Sequence, residues 1–123
     1  MHIAEEVTTP PSIPAPQIEA DGAVGGVWLK DMKVGESVTF STRNIAYTLE
    51  KVDRGLNHGG RFTIVGHPHL CPIPTPAVII GSAWGGSLLK GGFIGVGLSV
   101  KMVVDGSTQV TTPVQRLQWR RAH

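Results

Sequence analysis

A chain of 123 residues holds one domain with a modest core. Only 16% of residues are charged, and 16 glycines and nine prolines mark a chain rich in turns. That balance disfavours a helical bundle, whose outer faces need Lys and Glu, and the lone cysteine, Cys71, excludes an internal disulfide framework and fits a reducing, cytoplasmic setting.

The net charge of +2 is unevenly spread. Residues 1–22 carry Glu5, Glu6, Glu19 and Asp21 with no Lys or Arg, whereas the rest holds all 11 basic residues against five acidic ones, a balance of +6. A basic body can attract polyanions, an acidic arm can shield it, and surface charge of either sign keeps a small domain soluble. The opening "MHIAEEVTTPPSIPAP" has no basic segment followed by an apolar one, so no secretory signal is expected. Pro10, Pro11, Pro14 and Pro16 fix φ and remove donors, which makes residues 1–24 an extended, flexible arm. Pro11 and Pro14 have PxxP spacing, but no cation accompanies them; the arm reads as a solvated tail or a bridge between copies, not an SH3 ligand.

The body spans residues 25–119, with a basic tail at 120–123. "GESVTF" alternates, Val38 and Phe40 on one face against Ser37 and Thr39 on the other, and "IAYTLEKV" repeats the pattern with Ile45, Tyr47 and Leu49. The polar turn Thr42-Arg43-Asn44 joins the two runs into a hairpin. After the loop "DRGLNHGG", "RFTIV" puts Phe62 and Ile64 on one face. "GHPHLCPIPTP" holds four prolines in eleven residues and reads as an extended connection, after which "AVIIG" resumes the apolar run.

Then comes "GGFIGVGLSVKMVV". Ile94, Val96, Leu98, Val100, Met102 and Val104 are six consecutive matches to a period of two, the mark of one strand buried on one face. Asp105-Gly106 is a two-residue hairpin signal, and "STQVTT" alternates again as the return strand. Seven of the seventeen residues from Gly81 to Gly97 are glycine. Glycine weakens a strand, so its use implies tight coiling or a close backbone approach, as in a sheet curving toward closure. A phosphate loop is excluded because Gly91 follows Lys90 where Ser or Thr is needed and no helical period comes after. Lys90 also interrupts the GxxxG-spaced apolar run, leaving stretches too short to cross a bilayer as a helix. The expectation is an all-β domain: a small, partly closed antiparallel barrel of six or seven strands.

Several residue groups could carry chemistry. His67, His69 and Cys71 in "HPHLC" would point one way on an extended backbone, and imidazole with thiolate suits zinc or copper; His58 could add a fourth ligand. Pro68 and Pro72 work against this by bending the chain toward a period of three. Cys71 with a histidine could form a thiolate–imidazole pair, but neighbours two and four apart rarely reach attack geometry, and no orienting group is evident. No Gly-x-Ser-x-Gly elbow or dinucleotide fingerprint is present, so the reading is non-catalytic, with no cofactor. Arg54, Arg61, Arg120 and Arg121, with Arg43 and Arg116, could serve nucleic-acid binding, with Trp28, Trp84, Trp119 and Phe93 as stacking platforms. Trp84 in "GSAWGGS" could instead anchor a protein partner or a sister subunit, or plug one end of the barrel. Arg43 and Asn44 at the hairpin tip could join that surface, although Asn is common in turns for backbone reasons alone.

"TRNIAYTLEKVD", "GGRF", "GSAWGGSLLKGGFIGVGLSV" and "TTPVQRL" together resemble a family of short bacterial β proteins of planctomycete type. Its shared features are an Arg-Asn turn before a Tyr strand, a Gly-Ser-x-x-Gly-Gly-Ser segment, an Ile-Gly-Val-Gly strand and a closing Thr-Pro-Val. The resemblance covers about residues 33–118. It implies one compact β domain and adds nothing about chemistry. The expected function is a binding or assembly module, with a protein partner or a second copy of the chain favoured over nucleic acid and no membrane; the alternatives are a nucleic-acid-binding barrel and a metal-binding protein using the His67–Cys71 loop.

Overall fold

The computed structural model describes residues 22–55, 60–84 and 88–121; most of the acidic arm, His58 and the Gly85–Ser87 segment lie outside them. Ten strands follow in order: β1 (Gly26–Trp28), β2 (Ser37–Ser41), β3 (Ala46–Asp53), β4 (Arg61–Val65), β5 (Thr75–Trp84), β6 (Leu88–Gly91), β7 (Phe93–Gly95), β8 (Ser99–Val104), β9 (Ser107–Val110) and β10 (Arg116–Arg120). A single 3-10 turn, Leu29–Asp31, follows β1. No described helix is long and apolar enough to cross a membrane.

Alternation is what builds the sheet. Val38 and Phe40 of β2 pair with Leu49 and Tyr47 of β3, and all four are buried. On the opposite face the hydroxyls of Thr39 and Thr48 lie 3.2 Å apart. Phe62 and Ile64 of β4, Ala77 and Ile79 of β5, Val100, Met102 and Val104 of β8, and Leu117 and Trp119 of β10 complete the inner face. Each large side chain removed from water in this way stabilises the fold by about 1.5–3 kcal/mol. The antiparallel order is β10-β2-β3-β4-β5-β8-β9, with β6 also on β5, and β1 pairs separately with β7.

The strand expected to run unbroken from residue 94 to 104 is two strands. The even-numbered positions face inward as expected, but Gly97, at φ +90°, and the Leu98 N–H donating to the Gly95 carbonyl (3.2 Å) turn the chain between β7 and β8. β7 then leaves to pair with β1 while β8 joins β5. The Asp105-Gly106 hairpin is present, with φ of +51° and +81° suited to the tight two-residue turn between β8 and β9. The connection after β4 is not extended. Its residues Gly66–Cys71 form a closed turn in which the Cys71 N–H reaches the His67 carbonyl (3.0 Å) and His67 Nδ1 accepts the N–H groups of His69 and Leu70 (3.1 and 3.0 Å). The imidazole satisfies the backbone locally, which proline spacing alone does not reveal.

Nor do the described strands close into a barrel: β9 and β10 end the path, and neither pairs with the other. The sheet is nevertheless strongly curled. Six gaps of about 4.8 Å would set the edges of a flat sheet about 29 Å apart, yet the segment from Val110 to Arg116 spans at most about 20 Å. Hydrogen bonds from Gln115 N–H to Ser41 O (2.7 Å) and from Val114 N–H to Leu98 O (2.9 Å) mark its short path. At the other edge Gly22–Val24, the end of the expected arm, runs along β10: Trp119 N–H donates to Gly22 O (2.9 Å) and Val24 N–H to Leu117 O (3.0 Å).

β5 carries this curvature. A bulge between Ile79 and Gly81 lets Ser82 face inward, where it is fully buried and its hydroxyl donates to the Phe93 carbonyl (2.6 Å). Gly81 has φ +153°, and a Cβ there would sit 2.2 Å from the Lys90 carbonyl oxygen of β6. Gly91, opposite it, has its nearest neighbour at 3.8 Å. Gly81→Ala is expected to cost about 3 kcal/mol in urea unfolding, and Gly91→Ala less than about 1 kcal/mol; equal effects would show that the close approach does not govern the strand.

Candidate functional site

The curl brings the β2–β3 turn, the His67 turn and the end of β9 together around a cleft of about 210 Å³. Ile45, Leu70 and Met102 give it an apolar lining, and Asn44, Tyr47, His67 and Gln109 supply polar groups. Tyr47 is delivered by the inward phase of β3 and stacks on Phe40, ring centroids 5.0 Å apart. It is only 5% exposed, and among the described residues its hydroxyl has no hydrogen-bond partner. Its ring also lies 6.4 Å from that of His67. Burial, and secondly the charge of the nearby Cys71 thiolate when it forms, raise the Tyr47 hydroxyl above the ordinary tyrosine value.

The residues of the expected metal loop do not converge. Cys71 is fully buried in the core and free, His69 is exposed, and His67 Nδ1 already accepts two backbone N–H groups. Among the described residues no group of three His, Cys, Asp or Glu is gathered to hold a metal ion. Arg43 and Asn44 are exposed at the hairpin tip, and the Arg43 N–H lies 3.5 Å from the Thr112 hydroxyl, so both stand beside the chain leaving β9. Trp84 is half-buried at the end of β5, opposite Leu88 of β6.

Arg54, Arg61, Arg120 and Arg121 fall at one end of the sheet, because Arg120 pairs with Ser37 and Ser37 with Glu50. Arg61 meets Asp53 at 3.3 Å, and Arg121 stacks over Trp119 at 4.2 Å. Two of the four expected stacking platforms are unavailable: Trp119 and Phe93 are each 5% exposed. The alternation of β10 explains Trp119, which follows Leu117 at the next inward position. Trp28 stays half-buried, 4.9 Å from Phe93, with Lys90 Nζ over both rings (5.1 and 4.7 Å) and Lys30 Nζ 5.7 Å from Trp28. Here an accessible aromatic and cations meet.

Sequence reasoning missed the buried polar knot at the opposite end of β3. Lys51 is 6% exposed, and its ammonium donates to the carbonyls of Met32 (2.7 Å) and Leu29 (3.3 Å). Glu36 is 3% exposed, and its Oε1 accepts from Trp119 Nε1 (3.1 Å) and the Lys33 N–H (2.9 Å). The signal for Lys51 was present, because it continues the inward series Tyr47, Leu49; nothing local marked Glu36. These groups hold the loop after the 3-10 turn and are structural: removing the ammonium would strand two buried carbonyls. Lys51→Met is expected to lower unfolding stability by about 2–3 kcal/mol in urea melts.

No family model matches the chain, and no curated protein or solved structure matches it.

Because Tyr47 is the sole tyrosine, tyrosinate absorbance reads its titration directly. The titration is expected above pH 10, and Cys71→Ala should move it part of the way back by removing the thiolate charge. The folded-state value is raised, so the associated stability is complete below the unfolded value near pH 10 and is lost as pH rises through the folded one. Alkaline unfolding that Tyr47→Phe delays is the matching observation.

Proposed function

We propose that the protein is a non-catalytic assembly module that joins a second copy of itself, or a protein strand, along β9. The supporting observation is the character of that edge. β9 ends the sheet, and its residues Ser107, Thr108, Gln109 and Val110 include no charge, no proline and no bulge. Sheet edges left without such guards pair with other strands. The two-residue turn makes Val104 and Ser107 a hydrogen-bonded pair, so Thr108 and Val110 turn their N–H and C=O groups outward. Val110 is 58% exposed and Val78, on the adjoining outer face, 53%. An antiparallel strand added here would extend the sheet and lie beside Val110. Arg43 and Asn44 beside the end of β9 would contact the incoming strand, while Trp84 is a second anchor at the end of β5.

A partly closed barrel is the architecture that goes with this reading: the curl brings the edges near each other, and the outer edge of β9 has no partner strand among the described residues. A buried, free Cys71 fits a cytoplasmic setting. The nucleic-acid reading has one observation in its favour, the Trp28–Lys90–Lys30 cluster, and would show as retention on single-stranded nucleic acid that collapses with salt.

Sedimentation at rising concentration tests the proposal. The chain should run larger than a monomer, and Thr108→Pro or Thr108→Lys should return it to monomer without loss of fold; Trp84→Ala should weaken the association less. A strict monomer at high concentration, with no strand partner captured, removes the reading.

A further inference from the structure

We propose that the cleft between the β2–β3 turn, the His67 turn and the end of β9 binds a small, uncharged molecule carrying a primary amide. The starting point is Tyr47. A tyrosine this deeply buried normally finds a hydrogen-bond partner for its hydroxyl, and an unpaired one is costly. Here the ring is fixed against Phe40, the hydroxyl has no partner among the described residues, and the side chain lines a cleft that reaches the surface. A tyrosine hydroxyl is protonated at neutral pH, and burial raises its value further, so it is a donor waiting for an acceptor.

His67 supplies the second donor. Its Nδ1 accepts the N–H groups of His69 and Leu70, which leaves Nε2 as the nitrogen that carries a proton. A carbonyl oxygen has two lone pairs and can take both donors. Asn44 and Gln109, also in the lining, offer side-chain oxygens for the amide NH₂. Among the described residues no Asp, Glu, Lys or Arg lines the cleft, so a charged ligand would lose hydration with no charged partner there to replace it. Ile45, Leu70 and Met102 would receive a short apolar tail. The volume, about 210 Å³, equals about seven water molecules at ~30 Å³ each and limits the ligand to a handful of heavy atoms.

The site does not require assembly along β9. Its test therefore uses a residue outside that edge. The full chain is titrated with butyramide and, separately, with butyrate, following backbone and imidazole ¹⁵N resonances. Butyramide should bind in the millimolar range expected of so small a ligand and shift signals of Tyr47, His67, Gln109 and Thr111, with the His67 Nε2 resonance among them. Butyrate should bind at least about tenfold more weakly. Tyr47→Phe should weaken butyramide about tenfold while leaving urea stability unchanged or higher, since a hydrogen replaces an unpaired hydroxyl. The proposal is overturned if butyramide shifts no signals around the cleft, if butyrate binds equally, or if Tyr47→Phe binds as well as the parent. It is also overturned if Tyr47→Phe destabilises the chain, because the hydroxyl would then be holding a structural water.

Discussion

Everything in this fold is hung on the backbone of β5. Its first half lies between β4 and β8, its second half between β6 and β8, so one strand meets three neighbours. Antiparallel pairing on both sides fixes strand spacing at about 4.8 Å, and at Gly81 the approach of Lys90 and Gly91 is closer than a Cβ tolerates. The bulge beside Gly81 rotates the rest of the strand, so that Ser82 turns inward to hold β7 through the Phe93 carbonyl. Among the described strands β1 pairs with β7 alone, so its place follows from where β7 runs.

The curl that follows decides what the surface can do. A short link from β9 to β10 forces the two ends of the sheet toward each other, yet they do not pair. The leftover space is the cleft that Tyr47 and His67 share, and the leftover edge is β9. Both features are therefore products of incomplete closure. Opposite them, the Lys51 ammonium and the Glu36 carboxylate cross-link the loop after β1 to β3 and β10, filling the other end with satisfied polar groups instead of apolar ones. Buried polar groups so arranged constrain geometry more than they add stability.

Much of the strand pattern could be read from alternation: β2, β3, β4, β8 and β9 fall where the period of two put them, and the Asp105-Gly106 turn is local chemistry. The break between β7 and β8 was not legible, because Gly95 and Gly97 are compatible with a strand or a turn and only pairing with β1 chooses. Of the residues singled out for chemistry, Asn44 and His67 come together at the cleft, but through Tyr47 and Gln109, which carried no motif. The HPHLC spacing points to His67 as a metal ligand; its Nδ1 instead closes its own turn.

The sequence by itself determined the all-β class, the inward faces and the hairpin turns, since these depend on neighbours two to four residues apart. It also determined the concentration of acid in the arm and base in the body. Tertiary structure alone decided that the sheet stays open at β9, that Lys51 and Glu36 are buried partners of a loop, and that Tyr47 meets His67. Those outcomes depend on how far a ten-strand chain curls before its edges meet. That distance is set by the Gly81 approach and the length of the 111–115 link acting together across the whole sheet, and no short window of residues encodes it.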